Sequence, residues 1–211
     1  MVHISYAICV CDEARELGDL LYFLEGVRDP KDSEIVILVD STKAGSEVLK
    51  VLNRFEVPFH SRNFDGDFAA HKNFLNEKCS GTYIFNIDAD EIPQESLVKA
   101  LGTYKGNHDL LYVPRINICP GYTQEFLSKW KFSANELGHI NFPDFQGRFY
   151  RRGLKWVGKV HEKIQCDGPI GNLPPNPAFC LWHIKSVQKQ NRQNEFYNGI
   201  EKSGLTSSSL M

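Results

Sequence analysis

The first half of the chain alternates between apolar strands and amphipathic helices, and few architectures accept that rhythm. Ile4–Val10 is a short apolar run, and residues 13–27 then place Leu17, Leu20, Leu21, Leu24 and Val27 at helical spacing. Glu34–Val39 (EIVILV) reads as a second, fully apolar strand, and residues 43–55 return to the helical pattern with Val48, Val51, Leu52 and Phe55. A short strand near Val57–His60 and a turn at Gly66 follow. Asp67–Cys79 reads as a helix with Asp67 at its N-cap, because a short side-chain acceptor satisfies the first orphan N–H groups. Thr82–Ile87 (TYIFNI) is a further strand. The pattern predicts an α/β fold, a mainly parallel central sheet with helices on both faces.

The second half changes character. Residues 92–101 predict a short helix and Leu110–Ile118 a strand. From Pro120 to Pro177 the chain is rich in aromatics, Gly and Pro, so loops, short strands and one small helix near 125–131 are expected. Cys180–Ile184 reads as a last strand, residues 186–202 as a polar surface helix, and the Ser-rich 203–211 as a frayed end. No repeat or linker divides the 211 residues, which are read as a single domain. No run approaches the roughly 18 apolar residues needed to span a bilayer. A net charge of −2 gives no whole-chain argument for a nucleic-acid partner. The six cysteines are scattered without a Cys-x-x-Cys pair, which excludes a zinc ribbon and reads as reduced thiols in a cytoplasmic protein.

Chemistry is expected at the carboxyl ends of the parallel strands, where open α/β sheets bind their ligands. The strand at 34–39 runs into Asp40, and the strand at 82–87 runs into Asp88, Asp90 and Glu91. Crowded carboxylates repel unless a cation compensates, and hard cations such as Mg²⁺ or Mn²⁺ take carboxylate oxygens together with substrate phosphates. An Asp-x-Asp at a strand end therefore suits a metal held against a diphosphate. The chain has no Gly-x-Gly-x-x-Gly, no Gly-x-x-x-x-Gly-Lys-Ser/Thr and no Gly-x-Ser-x-Gly. Any phosphate must be held by side chains and metal, not by a glycine cradle.

Five segments, in order, carry a resemblance. They are the ISYAICVCDEA run starting at Ile4, Val39-Asp40-Ser41, Asn63–Asn73 (NFDGDFAAHKN), Asp88-Ala89-Asp90-Glu91 and Gly147–Glu162 (GRFYRRGLKWVGKVHE). Together they resemble the family 2 glycosyltransferases, whose nucleotide-sugar-binding fold is called GT-A, and the last is similar to a stretch of the branch with the lipopolysaccharide-core sugar transferases. The chain departs from the family at Asp12, where Asn is usual, and at Lys72, where Arg is usual. The resemblance implies a nucleotide-sugar-binding half at 1–91, an acceptor and catalytic half at 92–185 and a C-terminal helix and tail at 186–211.

It also implies roles. Asp40 reads the nucleotide base, with Cys11 and Glu13 beside it, and Lys72 neutralises diphosphate charge. Asp88 faces the ribose and the metal, Asp90 is the more direct ligand of Mn²⁺ or Mg²⁺, and His183 is a third ligand. Glu162 is the expected general base, with Asp144 second. His161 orients Glu162 or the diphosphate. Trp156 is expected at the acceptor site, Trp130 and Trp182 in packing. Arg148 and Arg151 open a run in which Arg152, Lys155, Lys159 and Lys163 oppose Glu162 alone. That basic excess suits the donor diphosphate, a phosphorylated glycan or a DNA backbone. The function implied is a metal-dependent, inverting transfer of a hexose from a UDP-sugar to a glycan or lipid-linked acceptor, by a cytoplasmic or peripheral inner-membrane enzyme. The alternatives are a phage-type glycosyltransferase of hydroxymethylated DNA, with the base flipped out, and a non-catalytic nucleotide-sugar-binding module.

Overall fold

The computed structural model describes residues 3–207, and the side chains of residues 3–200. Met1, Val2 and residues 208–211 of the expected frayed end lie outside the described residues. Four parallel strands form the first half of the sheet: β1 (Ile4–Val10), β2 (Ser33–Asp40), β3 (Phe59–Arg62) and β4 (Tyr83–Asp88). Between them run α1 (Ala14–Val27), α2 (Ser46–Arg54) and α3 (Phe68–Asn76). The second half adds β5 (Glu91–Pro93), α4 (Glu95–Gly102), β6 (Leu110–Ile118), α5 (Gln124–Trp130) and β7 (His139–Arg151). It ends with β8 (Lys155–Val157), β9 (Lys163–Gln165), β10 (Ile170–Asn172), β11 (Leu181–Ile184) and α6 (Val187–Ser207). The sheet order is β3-β2-β1-β4-β7-β6-β11-β5, with β10 also on β6, while β8 and β9 form a separate hairpin.

Strand alternation sorts the core into two faces. Ile4, Tyr6, Ile8 and Val10 of β1 pack with Leu17, Leu20, Leu21 and Leu24 of α1. Ala7, Val36, Leu38 and Ile84 point the other way, toward Ala69 and Leu75 of α3 and Trp156 of β8. Asp67 caps α3 as expected, accepting from the Ala70 N–H at 2.8 Å. Phe85, on β4, is fully buried between Tyr6 and Phe149. Phe85→Ala is expected to cost about 3–5 kcal/mol, from lost transfer energy and the cavity left behind. A urea midpoint unchanged from wild type would show that this layer is not the core.

The structure departs from the sequence reading most at β7. Loops and short strands were expected there, yet thirteen residues form a long antiparallel strand between β4 and β6. Pro143 is tolerated because the β6–β7 register shifts between Arg115 and Asn117, where a ladder hydrogen bond is not required of it. The short β5 was also absent from the sequence reading. Its pairing with β11 brings Glu91 opposite His183. All six cysteines are free thiols.

Candidate active site

Growth of the sheet reverses at β1, whose two neighbours are β2 and β4. A crevice opens at the carboxyl ends of such strands, and the acidic residues stand along it. Beside them lies a cleft of about 590 Å³, lined by Asp88, Asp144, Glu162, His161 and His183 among others, with α6 as one wall.

Asp40 ends β2. Its Oδ1 accepts from the Thr42 N–H (2.9 Å), the Thr42 hydroxyl (2.7 Å) and the Phe64 N–H (3.2 Å). Burial alone would raise its carboxyl, but these donors hold it below the usual carboxylate range. Oδ2 meets only the Cys11 thiol, at 3.7 Å, among the described residues. That thiol is pushed up to about 12 by burial and by Glu13, so it is a neutral donor. Glu13 turns Oε2 onto the Cys11 and Asp12 N–H groups at 2.9 and 3.2 Å, shaping the turn after β1.

An ion-pair lattice, with Arg148 and Glu91 buried at its centre, joins the two halves of the sheet. Asn86, Asp88 and Arg148 share one face of β4 and β7. Arg148, 3% exposed, donates to Asn86 Oδ1 at 3.0 Å, to Asp88 Oδ2 at 2.5 Å and to Glu91 Oε1 at 2.8 Å. Arg115 joins Glu91 (2.9 Å) to Asp144, whose Oδ2 takes Arg115 Nε and Nη2 at 2.9 and 2.7 Å. Asn117 Nδ2 and Gln146 Nε2 add 2.8 and 2.6 Å bonds to Asp144. Burial pushes Asp144 up, and Arg115 with these amides brings it below the usual range. Burial likewise opposes ionisation of Asp88, and Arg148 and Lys72 override it, holding that carboxyl far below its ordinary value.

Glu162 reaches the cleft through a loop with two left-handed residues, Gly158 (φ 93°) and His161 (φ 54°). The loop is anchored by Asn73, whose side chain bonds both the N–H and the carbonyl of Trp156 at 2.9 Å. Lys72, on the same helix, places its ammonium 2.7 Å from Glu162 Oε1, 3.7 Å from Asp88 Oδ1 and 4.4 Å from the Trp156 ring centre. Burial would lower Lys72; the two carboxylates raise it above the usual lysine value, so it stays charged.

His183 and Asp90 form the remaining pair. Asn117 donates through Nδ2 to Asp144, so its Oδ1 must accept from His183 Nδ1–H, 2.7 Å away. Burial keeps His183 below the usual histidine range, which favours the neutral ring. Its Nε2 then presents a lone pair to Asp90 Oδ1 at 3.6 Å. Asp90 Oδ2 meets the Lys185 and Lys189 ammoniums at 3.1 and 3.3 Å, so Oδ1 and His183 Nε2, the latter oriented through its far nitrogen, are the two acceptors left to a divalent cation. Among the described residues no three His, Cys, Asp or Glu side chains converge on one point. A divalent cation held by these two residues would take its remaining ligands from phosphate and water.

Several expected roles need correction. Asp88 has both oxygens engaged by Arg148 and Lys72, which does not support it as a metal ligand. Lys72 is committed to Glu162 and Asp88 rather than held out for a diphosphate. Arg148 is an internal counter-ion, and Arg151 pairs with Asp109 at 2.6 Å at the start of β6, so the basic run is not one surface. Trp156 borders the cleft but is buried, gives its ring face to Lys72 and donates Nε1–H to Tyr150 at 3.0 Å, which does not support it as a sugar platform. Asp144 takes three donor contacts from Arg115 and Asn117 on Oδ2 and one from Gln146 on Oδ1, so both oxygens are engaged, which disfavours it as a base. Sequence reasoning passed over Arg115, Asn117, Asn73 and Lys185. The first two alternate as polar residues in the apolar run LLYVPRINI, the one signal available.

The four parallel strands, the switch at β1 and the antiparallel β7 beside β4 make an α/β sheet, and its likeness to the solved structures below makes the fold GT-A. Among solved structures of that fold, TarS 1–349 of S. aureus in complex with UDP matches with a TM-score of 0.60 at 13% identity, over 88% of this chain and 61% of that one. The same protein in complex with UDP-GlcNAc matches at 0.59 and 13%, over 87% and 59%. A weaker likeness, TM-score 0.45 at 17% identity over 72% and 57%, is to glucosyl-3-phosphoglycerate synthase from Mycobacterium tuberculosis in complex with Mn²⁺, UDP and glucosyl-3-phosphoglycerate. The chain thus spans about three-fifths of the TarS 1–349 chain. No family model matches it, and no curated protein matches it in sequence. No helix among the described residues is long and apolar enough to cross a membrane.

Proposed function

We propose that the protein is a metal-dependent, inverting glycosyltransferase that moves a sugar from a UDP-sugar to an acceptor hydroxyl on a glycan. The observation that carries this reading is the placement of Asp40, the Asp90–His183 pair and Glu162 along the ligand-binding edge of one GT-A sheet. Asp40 Oδ2 accepts an N–H of the base. Asp90 and His183 hold Mn²⁺ or Mg²⁺, which when bound supplies Lewis-acid stabilisation of the leaving diphosphate. The acceptor oxygen bonds to the anomeric carbon as the bond to the diphosphate breaks. The nucleoside diphosphate leaves with the electron pair, and the hydroxyl proton passes to Glu162. Arg148 and Arg151 are committed to carboxylates, which takes two of the six cations of the basic run away from a DNA backbone.

Thermal shift with UDP, GDP, dTDP, CDP and ADP, each with and without Mn²⁺, tests the donor half. A rise in melting temperature with UDP that grows on adding Mn²⁺ is expected from mass action. No shift with any of the five overturns the reading. Asp90→Asn and His183→Ala are each expected to weaken Mn²⁺ in the UDP complex at least tenfold, since even an outer partner of a metal ligand is worth about 10–100-fold. A Mn²⁺ increment equal to wild type in both variants would place the cation elsewhere.

A further inference from the structure

The polar C-terminal segment was expected to be a surface helix, but α6 turns polar residues inward. A surface helix normally buries an apolar stripe. Here Gln190, Gln193, Asn194 and Tyr197, one helical face by spacing, line the cleft together with Lys185. They are tied to one another: Gln190 Nε2 donates to Asn194 at 2.9 Å, Gln193 Nε2 to Tyr197 at 2.6 Å, and Lys185 Nζ to Gln193 Oε1 at 2.7 Å. Such a wall faces a polar ligand rather than a core.

Lys185 is the centre of it. It is 7% exposed, an unusual depth for lysine, and its ammonium lies 3.1 Å from Asp90 Oδ2. Lys189 approaches the same oxygen at 3.3 Å. Asp90 therefore has two ammonium partners and keeps one if the other is drawn away. An ammonium carries three donors, and Asp90 and Gln193 account for two of those on Lys185 among the described residues. Lys72, the cation expected on the diphosphate, differs in being the one ion-pair partner of Glu162 among the described residues, so that turning to a phosphate would leave that carboxylate uncompensated. Lys185 stands directly beside the Asp90–His183 pair that would hold a cation.

We propose that Lys185, set on the amide-lined face of α6, is the protein's own ligand for the diphosphate of the nucleotide donor, with Lys189 keeping Asp90 compensated when Lys185 turns to the phosphates. This assignment rests on the donor reading above.

The test is calorimetric titration of UDP and of uridine, each with Mn²⁺ present, into wild type, Lys185→Met and Lys185→Gln. The Gln variant keeps a donor for Asp90 should the Met variant fail to fold. UDP affinity is expected to fall about tenfold or more in a folded variant, the worth of one charge-assisted hydrogen bond, while uridine affinity stays at the wild-type value. Inorganic pyrophosphate should compete with UDP on wild type and lose that ability in the variant. Unchanged UDP affinity, or an equal fall for UDP and uridine, overturns the assignment and leaves the donor site standing. Wild type that binds neither UDP nor uridine overturns the donor reading itself.

Discussion

Replacing Arg148 with methionine is expected to remove about 3–5 kcal/mol of folding stability, the usual cost of stranding buried charge. Methionine fills similar space and supplies no proton donors. The loss falls on Asp88 and Glu91, which keep only Lys72 and Arg115 as cations, and on Asn86 Oδ1, which loses its donor. Glu91 is fully buried. Arg148 also joins β7 to β4 through side chains alone, beyond the ladder from Tyr83–Phe85 to Phe149–Arg151. For a domain of this size each kcal/mol moves the melting temperature by roughly 2–4 °C. Equilibrium urea unfolding measures the effect. A change under about 0.5 kcal/mol would mean that the lattice is no stronger than a surface ion pair. Arg148→Lys should recover only part of the loss, because an ammonium cannot reproduce the guanidinium fork that spans Asn86, Asp88 and Glu91.

Arg148 also shows where sequence reading stops. Its charge was plain, and its neighbours in the run 148–163 made it look like part of a basic surface. What decides its role is alternation on β7: Phe149 points to the α1 face, while Arg148 and Tyr150 point to the α3 face. That strand was not legible, because Pro143, Asp144 and Gly147 break the pattern a central strand normally keeps. By contrast β1, β2 and β4 were legible, since strands covered on both faces are apolar at nearly every position. The same logic placed Asp40 and Asp88 at strand ends correctly. Partners more than sixty residues apart, such as Lys72 with Glu162 or Asn73 with Trp156, are products of tertiary packing and leave no local trace. α6 misled for another reason. A polar helix is ordinarily solvated, and only the cleft beneath it gives its amides something to face.

Glu162→Gln is expected to lower the turnover of sugar transfer by about 10²–10⁴-fold, the range a positioned general base supplies, with UDP affinity held near wild type. Glutamine keeps the shape and the hydrogen-bond acceptor that Lys72 uses, but it cannot take the acceptor hydroxyl's proton. Lys72 retains Asp88 as a partner, so the substitution strands no buried charge. In the native protein one oxygen of Glu162 is fixed by Lys72, and Oε2 makes no hydrogen bond among the described residues, which leaves a lone pair for the proton. Asp144 provides the comparison. Four donor contacts on its two oxygens come from Arg115, Asn117 and Gln146, so Asp144→Asn should act on stability by exposing Arg115 to imbalance. Its turnover, measured on the folded fraction, should stay within about tenfold of wild type, below the loss expected of a base. Release of UDP from a UDP-sugar under single-turnover conditions, with binding measured separately by titration, separates the two. Wild-type turnover in Glu162→Gln would remove it from the chemistry. A collapse of turnover in Asp144→Asn at unchanged stability would move the base to β7.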